Sequence, residues 1–144
     1  MIRKFFTAGN YPQEISLALL ILRIAAGLFM LTHGLQKMGL LFGAEPIQFA
    51  DPIGIGQTPT LVLAVFTEGV CALCLILGFA TRFAAAMLLS TMTVAILIIH
   101  SGDEFKVIEL ALLYSSAYLA IIIAGAGRYS LDSMLFRNPD PSAV

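Results

Sequence analysis

Apolar residues run along the chain in four long windows, 15–41, 61–80, 83–99 and 107–126, separated by shorter polar stretches. A helix needs about 20 apolar residues to cross ~30 Å of hydrocarbon, which is close to the length of these windows. The windows lack the period-two alternation of membrane β-strands and are rich in Leu, Ala, Ile and Met. The pattern therefore predicts an all-α integral membrane protein, an antiparallel four-helix bundle that forms a single domain over residues 1–144.

The composition supports a membrane location and excludes other classes of protein. Hydrophobic residues make up 59% and charged residues 12% of the 144 residues, and the mean hydropathy of +0.93 is far above that of soluble domains. The formal net charge is -1, and the few Lys and Arg residues form no basic stripe. We therefore expect the lipid bilayer as a partner and exclude nucleic acid.

The distribution of basic residues predicts an orientation. Basic residues lie before the first window, between the second and third, and after the fourth, at Arg3, Lys4, Arg82, Arg128 and Arg137. Because cytoplasmic loops carry the excess of Lys and Arg, both termini are predicted to be cytoplasmic in a multi-pass protein of a bacterial-type plasma (inner) membrane. The polar, proline-containing residues 136–144 are predicted to form a flexible cytoplasmic tail.

Ionisable residues interrupt the apolar windows or lie at their ends: Arg23, His33, Lys37, Glu68, His100 and Glu109. A charge near the bilayer centre costs roughly 2.5 to 3.5 kcal/mol on insertion scales, so such residues normally face the interior of a bundle. At ~1.5 Å of rise per residue, all of them except Arg23 fall in the outer half of the membrane. We predict one polar pocket open to the exterior, with Arg23 extending toward Glu68.

Helical periodicity predicts one polar face on each span. The faces comprise Arg23, Gly27, Met30, Gly34 and Lys37 on the first span; Ala64, Glu68, Cys71 and Gly78 on the second; Thr93, Ile96 and His100 on the third; and Glu109, Leu113, Ser116 and Ala120 on the fourth. Gly27 and Gly34 would allow another helix or a flat ligand to come close to the first span. Tyr114 and Tyr118 lie away from Glu109. The sequence does not decide whether they face lipid, a partner subunit or the second layer of the pocket.

The connection between the first two spans, 42–59, is long for a compact bundle, which favours a functional loop. Pro52, Gly54 and Gly56 argue against a helix in this stretch, whereas Phe49 and its apolar neighbours suit a loop that lies against the membrane face. We predict that this connection covers the pocket.

Two groups of pocket residues have alternative interpretations. Arg23 and Glu68 form either a salt bridge that packs two helices together, which we favour, or part of an anion or quinone site. His33 and His100 are either hydrogen-bonded pocket residues or carriers of a proton. Together with Glu109 they offer ligands for a metal, but no closely spaced His pair is present, and no metal site is predicted.

Cys71 and Cys74 form a Cys-x-x-Cys motif on the second span, a spacing found in dithiols that exchange electrons. In the middle of a bilayer the thiolate would be desolvated, and a helix interior strains a disulfide between residues three apart. The two cysteines are therefore predicted to be small packing residues, with a redox role as the alternative.

Several segments share a recognisable order. They are the run Arg23 to Lys37 with its His33-Gly34 pair, the Glu68 to Gly78 segment followed by Phe79-Ala80-Thr81-Arg82, then His100, Glu109 and the closing Gly125-Ala126-Gly127-Arg128-Tyr129-Ser130-Leu131-Asp132. Together, over residues 16–135, they resemble the DoxX family of membrane proteins. The closing segment is interpreted as structural, with Gly as a helix C-cap and with Ser130 and Asp132 bonded to local backbone.

This resemblance implies a four-span protein related to the membrane subunit of thiosulfate:quinone oxidoreductase, and hence a subunit of a quinone-linked sulfur or thiol oxidoreductase system that binds a quinone or a small anion. The pocket residues would then take three roles: Arg23 and Lys37 orient an anionic or carbonyl group, Glu68 and Glu109 balance charge, and His33 or His100 is the catalytic proton carrier. The alternatives are a non-catalytic anchor or scaffold for a soluble redox partner, and a small-solute carrier. A homo-oligomer is left open.

Overall fold

A computed structural model describes residue 9 and residues 11–136 of the chain. Four long helices, α1 (Gln13–Phe42), α2 (Gln57–Leu77), α3 (Thr81–Ile99) and α4 (Phe105–Ala124), are each long and apolar enough to cross a membrane. A short helix, α5 (Leu131–Leu135), follows them. No strand occurs within the described residues, so the predicted all-α membrane fold is confirmed, and its connections are consistent with an antiparallel bundle.

Three of the predicted spans agree with α1, α3 and α4 to within two residues at each end. Helix α2 begins at Gln57 and ends at Leu77, four residues and three residues before its predicted bounds. Arg3, Lys4 and Arg137, on which the predicted orientation partly depends, lie outside the described residues. So does nearly all of the predicted tail, 137–144.

The two ends of the bundle differ in their connections. One end, which we call the loop end, carries the connections 43–56 and 100–104. The other, which we call the turn end, carries the tight turn 78–80 and the segment 125–130 that leads into α5.

Two helices change to π-helical geometry partway along. In α2 the π-helical segment is Phe66–Cys71, which contains Glu68, and in α3 it is Ala95–Ile99, which ends just before His100. A π-helical turn takes up an additional residue and so changes the direction in which the following side chains point; such turns are frequent at functional sites. Both segments here are next to ionisable residues.

The predicted polar face of α1 is its packing face. Arg23, Gly27, Met30 and Gly34 are all buried there. A Cβ added at Gly34 would lie 2.5 Å from the backbone carbonyl of Glu68, and one at Gly27 would lie 3.1 Å from the carbonyl oxygen of Ala72. The two glycines therefore allow α1 to pack directly on α2, and a helix, not a flat ligand, lies against them.

The predicted polar face of α4 is wrong. Helix α4 buries Tyr118 and Ile121, whereas the predicted residues Glu109, Leu113, Ser116 and Ala120 are exposed. The physical reason is that lipid solvates this outer surface, so a large aromatic side chain gains more from packing than a small polar one. The Ser116 hydroxyl donates to the Leu113 carbonyl in its own helix at 2.7 Å and so needs no partner inside the bundle.

The same correction applies to α3. Its buried residues include Ala84, Leu88 and Met92, while Thr93, from the predicted polar face, is exposed and donates to the Leu89 carbonyl at 2.9 Å. Of the residues of that face, only His100 lines a cavity at the loop end.

The turn end is held by hydrogen bonds from the closing segment. The Asp132 carboxylate accepts from the backbone N–H of Ala80 at 2.8 Å and of Thr81 at 2.9 Å, where it caps the N-terminus of α3. The Asp132 N–H donates in turn to the Gly78 carbonyl at 2.8 Å. Asp132 thus bonds to distant rather than local backbone, which corrects that part of the prediction.

The remainder of the closing segment follows the prediction. Gly125, with φ of 84°, is the C-cap of α4. The Ser130 hydroxyl donates to the Gly127 carbonyl at 2.7 Å and accepts from the Ser133 N–H at 3.1 Å, as the N-cap of α5. The segment therefore links the end of α4 to the start of α3.

Candidate functional site

Arg23 is fully buried, but it lies at the turn end. Its guanidinium donates to the carbonyl of Leu75, in the last turn of α2, at 3.2 Å, and to the carbonyl of Tyr129. The last carbonyls of a helix have no partner within the helix and attract a cation. Arg23 thus joins α1, α2 and the closing segment, and the predicted pair of Arg23 with Glu68 is wrong.

Glu68 pairs instead with Lys37, through an ion pair between Lys37 Nζ and Glu68 Oε1. The Glu68 side chain is 3% exposed and that of Lys37 is 26% exposed. Both residues lie toward the loop end, on the packed faces of α1 and α2. The carboxylate is therefore buried, while the ammonium group remains partly accessible.

A cavity of about 550 Å³ lies next to this ion pair. All four long helices and the connection 43–56 contribute to its lining. Its apolar lining includes Met30, Leu63, Met87, Met92, Val107 and Leu110, and its polar lining includes His33, Lys37, Thr67, Glu68, Thr91, His100 and Tyr114. The cavity is thus mostly apolar, with a small number of polar groups, as is usual for small-molecule sites.

Four of the six predicted pocket residues line this cavity: His33, Lys37, Glu68 and His100. Arg23 and Glu109 do not. Glu109 lies on the exposed surface of α4, close to the start of that helix at Phe105. A carboxylate one turn from a helix end can reach the membrane interface, which removes the need for an interior partner.

The connection 43–56 lies over the cavity. Phe49, Ala50, Pro52 and Ile53 are among the lining residues, and Lys37 Nζ lies 5.9 Å from the centroid of the Phe49 ring. No helix forms in this stretch. The prediction that the connection is non-helical is confirmed, and its position over the cavity agrees with the predicted cover.

Asp51 organises this connection, a role that the sequence analysis missed. Its carboxylate accepts from the N–H of Ile55 at 3.1 Å, the N–H of Gly56 at 2.7 Å and the hydroxyl of Thr60 at 2.8 Å. The bonds from Gly56, and next from Thr60, hold the pKa of Asp51 below its ordinary value. An Asp followed by Pro and Gly is typical of such a side-chain turn and could have revealed it.

The two histidines lie in different surroundings. His33 is exposed at the rim of the cavity. His100 is half-buried, and its Nδ1 lies 2.8 Å from the carboxylate of Asp103, which orients the ring. Within residue 9 and residues 11–136 no group of three His, Cys, Asp or Glu side chains is arranged to hold a metal ion.

Polar residues in and behind the cavity wall make contacts that the sequence analysis did not predict. The Thr91 hydroxyl donates to that of Thr67 at 3.0 Å, which links α3 to the π-helical segment of α2. Tyr114 and Tyr118 stack with ring centroids 5.9 Å apart. Tyr118 is fully buried, so the interior of the bundle, and not lipid, surrounds it.

Cys71 and Cys74 are both free thiols. Cys71 is buried in the core beside Ala72 and Leu75, and Cys74 packs against that core. This arrangement agrees with the predicted packing role, and neither cysteine lines the cavity.

The comparison with known families now identifies the chain. The family model for DoxX matches residues 18–101. The chain belongs to the DoxX family. The matched range covers α1 from Ala18 onward, all of α2 and α3, and the four cavity residues His33, Lys37, Glu68 and His100. Helix α4 and the closing segment, which the sequence analysis also assigned to the resemblance, lie outside the matched range.

Two proteins from Haemophilus influenzae are similar to this chain over most of its length. One is 36% identical over 127 residues, which cover 83% of this chain and 92% of the relative. The other is 30% identical over 125 residues, which cover 82% of this chain and 83% of the relative. Both are described as uncharacterized proteins. No solved structure matches the chain.

Proposed function

We propose that this DoxX protein is a membrane subunit of a quinone-linked sulfur or thiol oxidoreductase system, and that its cavity binds the quinone ring. The single observation that supports this function best is a mostly apolar cavity of about 550 Å³ with a partly buried ion pair, Lys37 and Glu68, in its wall. Ligand sites commonly have volumes of about 300–1,000 Å³. An apolar ring with polar oxygen atoms is complementary to such a lining.

The residues of the cavity fit a quinone. Lys37 Nζ and the ring N–H groups of His33 and His100 are hydrogen-bond donors suited to a ring oxygen. Tyr114 and Phe49 supply aromatic surface to the lining. A bound quinone would supply the acceptor for two electrons and two protons.

The residues of the chain would bind and orient this ligand and move protons. Lys37 donates a hydrogen bond to a ring oxygen, and Glu68 balances its charge. His100, held by Asp103, transfers a proton between the cavity and the water outside the loop end. His33, at the rim of the cavity, is the alternative. Arg23 has a structural role in this proposal, because its Nη1 and Nη2 donate to backbone carbonyls at the turn end.

The proposal includes a location and a partner. The chain lies in a bacterial plasma membrane with cytoplasmic termini, so the loop end and its cavity face the exterior. No flavin or nucleotide fingerprint occurs in the sequence, so a redox partner supplies or removes the electrons.

Quinone binding by the purified protein tests the function. The protein in lipid nanodiscs is equilibrated with a short-chain ubiquinone or menaquinone, and empty nanodiscs correct for partition into lipid. We expect saturable binding that Lys37→Met weakens by about tenfold or more, the loss of one charge-assisted hydrogen bond. Lys106→Met is the matched control, because Lys106 is exposed and does not line the cavity.

Three outcomes would contradict the proposal. The absence of saturable binding, together with a soluble protein that co-purifies in fixed ratio, would favour the scaffold. Solute uptake into proteoliposomes without quinone binding would favour the carrier. Equal binding by Lys37→Met and Lys106→Met would place the quinone outside the cavity.

A further inference from the structure

Two buried polar atoms, one on a residue that lines the cavity and one on a residue behind its wall, have no partner in the described part of the chain. Glu68 uses Oε1 to bind Lys37, but Oε2 is buried and accepts no hydrogen bond within residue 9 and residues 11–136. The hydroxyl of Tyr118 is likewise buried and without a partner among these residues. Unpartnered buried polar atoms are rare in folded proteins, and each requires an explanation.

The two atoms belong to the same region of the bundle. Glu68 lines the cavity, and Tyr118 stacks on Tyr114, which also lines it. Tyr118 does not itself line the cavity; it lies one helical turn beyond Tyr114 on α4, and Glu68 acts electrostatically on its hydroxyl. We call this region, formed by Glu68 and Tyr118, the cavity floor.

The hydrogen-bonding capacities of the two atoms define the group that would satisfy both. A carboxylate oxygen only accepts, whereas a phenol hydroxyl can both donate and accept. A group that donates to Glu68 Oε2 and accepts from the Tyr118 hydroxyl must itself carry a hydrogen and a lone pair. A hydroxyl group meets this requirement. A carbonyl oxygen cannot donate, and its lone pairs would face those of the carboxylate.

We propose that Glu68 and Tyr118 form a hydroxyl-binding subsite at the cavity floor, which makes the cavity prefer a ring that carries a hydroxyl group, such as a quinol, to one that carries only carbonyl or ether oxygens. This inference rests on the proposed function and names the form of the ligand that binds more tightly. Lys37 contacts a ring oxygen in either form, so it does not discriminate between them.

Paired ligands that differ in one hydrogen-bond donor test the subsite. The protein in nanodiscs is equilibrated, under anaerobic conditions, with a short-chain hydroquinone, its dimethyl ether and the corresponding quinone. A second pair, 4-heptylphenol and 4-heptylanisole, has no redox chemistry and tests the hydroxyl alone. We expect the hydroxyl form to bind about tenfold or more tightly in both series, the effect of one buried hydrogen bond to a charged group.

Two variants locate the preference. Glu68→Gln and Tyr118→Phe keep the size of their side chains, and each should reduce the preference for the hydroxyl form to about threefold or less. Tyr129→Phe is the control, because its side chain is exposed at the turn end, and it should retain the full preference. If Glu68→Gln fails to fold because Lys37 loses its partner, Tyr118→Phe still decides the question.

The outcomes separate this inference from the function on which it rests. Equal binding of hydroquinone and quinone overturns the subsite and leaves the quinone site intact. A phenol preference without any quinone binding supports the subsite and contradicts the proposed ligand. If Tyr118→Phe leaves the preference unchanged and lowers the melting temperature of the ligand-free protein, the two atoms bind a structural water and the inference is overturned.

Discussion

The two ends of the bundle each bury an ion from the apolar spans, but they satisfy it in different ways. At the turn end, two nitrogen atoms of Arg23 donate to the backbone carbonyls of Leu75 and Tyr129, its Nε has no partner among the described residues, and the side chain does not line the cavity. At the loop end, Glu68 has one oxygen paired with Lys37, another without a partner in the described chain, and a cavity beside it.

This difference shows how to separate structural from functional ions in a membrane bundle. An ion directed to the free backbone groups of helix ends stabilises the connection between elements. An ion whose side chain lines a cavity can be reached by a ligand. On this criterion we assign Arg23 to the fold and propose Glu68 and Lys37 as site residues.

Gly78→Ala tests the close packing of the turn end and should have the largest effect. Gly78 has φ of 70°, and an added Cβ would overlap Arg23 Nη1 and lie 2.5 Å from Ser130 Cβ. Left-handed strain of roughly 1–2 kcal/mol and overpacking of roughly 1–3 kcal/mol should together lower the free energy of unfolding by about 2–5 kcal/mol. The measurement is an unfolding titration with SDS in mixed micelles.

Gly39→Ala is the matched control for this substitution. Gly39 lies in α1 near the loop end, and an added Cβ would meet no atom within 4 Å. Alanine should there be neutral or stabilise the helix by up to about 1 kcal/mol. If both substitutions have the same effect, the turn end is not closely packed around Gly78.

Lys37→Met tests the loop end and should have an intermediate effect. It leaves the buried Glu68 carboxylate without its cation, which should cost about 1–3 kcal/mol of unfolding free energy, less than for a fully buried pair because Lys37 is partly exposed. The double substitution Lys37→Met, Glu68→Gln should recover most of this loss, since it removes both charges. The same unfolding titration, arranged as a double-mutant cycle, measures the coupling.

At the turn end, by contrast, no second substitution should recover the unfolding free energy that Arg23→Met loses. Arg23→Met removes the side-chain donor from the carbonyls of Leu75 and Tyr129, and among the described residues the Leu75 carbonyl keeps only the bond from the Gly78 N–H at 3.2 Å. No side-chain substitution can remove a carbonyl. Strictly additive effects in the Lys37 and Glu68 cycle would mean that the two ends do not differ in this way.

Asp51→Asn should have the smallest effect, confined to the connection 43–56. Because the folded state lowers the pKa of Asp51, its contribution to stability is complete above the ordinary Asp value of 3.8 and is lost as the pH falls through the lowered pKa. Hydrogen-exchange protection of the amides of residues 53–56 should therefore decrease with acid in the natural protein. In Asp51→Asn it should be lower and should not change over this range, whereas a pH-independent natural protein would contradict the role of Asp51.

The arrangement of helices could be predicted because it depends on local properties of the chain. The lengths of the apolar windows give the spans, and the spacing of Arg23, Gly27, Met30 and Gly34 gives the packed face of α1. Pro52 and the neighbouring glycines predict the non-helical connection in the same way.

The pairing of the ions could not be predicted, because it depends on the register between helices. Arg23 and Lys37 lie on the same face of α1, and the sequence alone does not specify which of them meets Glu68. The π-helical segment Phe66–Cys71 changes the direction of Glu68, and a regular helical pattern does not reveal it. The end of α2, meanwhile, offers Arg23 the carbonyl of Leu75.

By itself, the amino-acid sequence determined that this is a four-span helical protein of the DoxX family with ionisable residues in its membrane segments, because hydropathy and periodicity act over one helix at a time. Only the tertiary structure decided that Arg23 stabilises the turn end, that Lys37 and Glu68 border a cavity at the loop end, and that Tyr118 and not Glu109 faces the interior. These outcomes depend on which groups of different helices come within hydrogen-bonding distance, and that distance is set by packing.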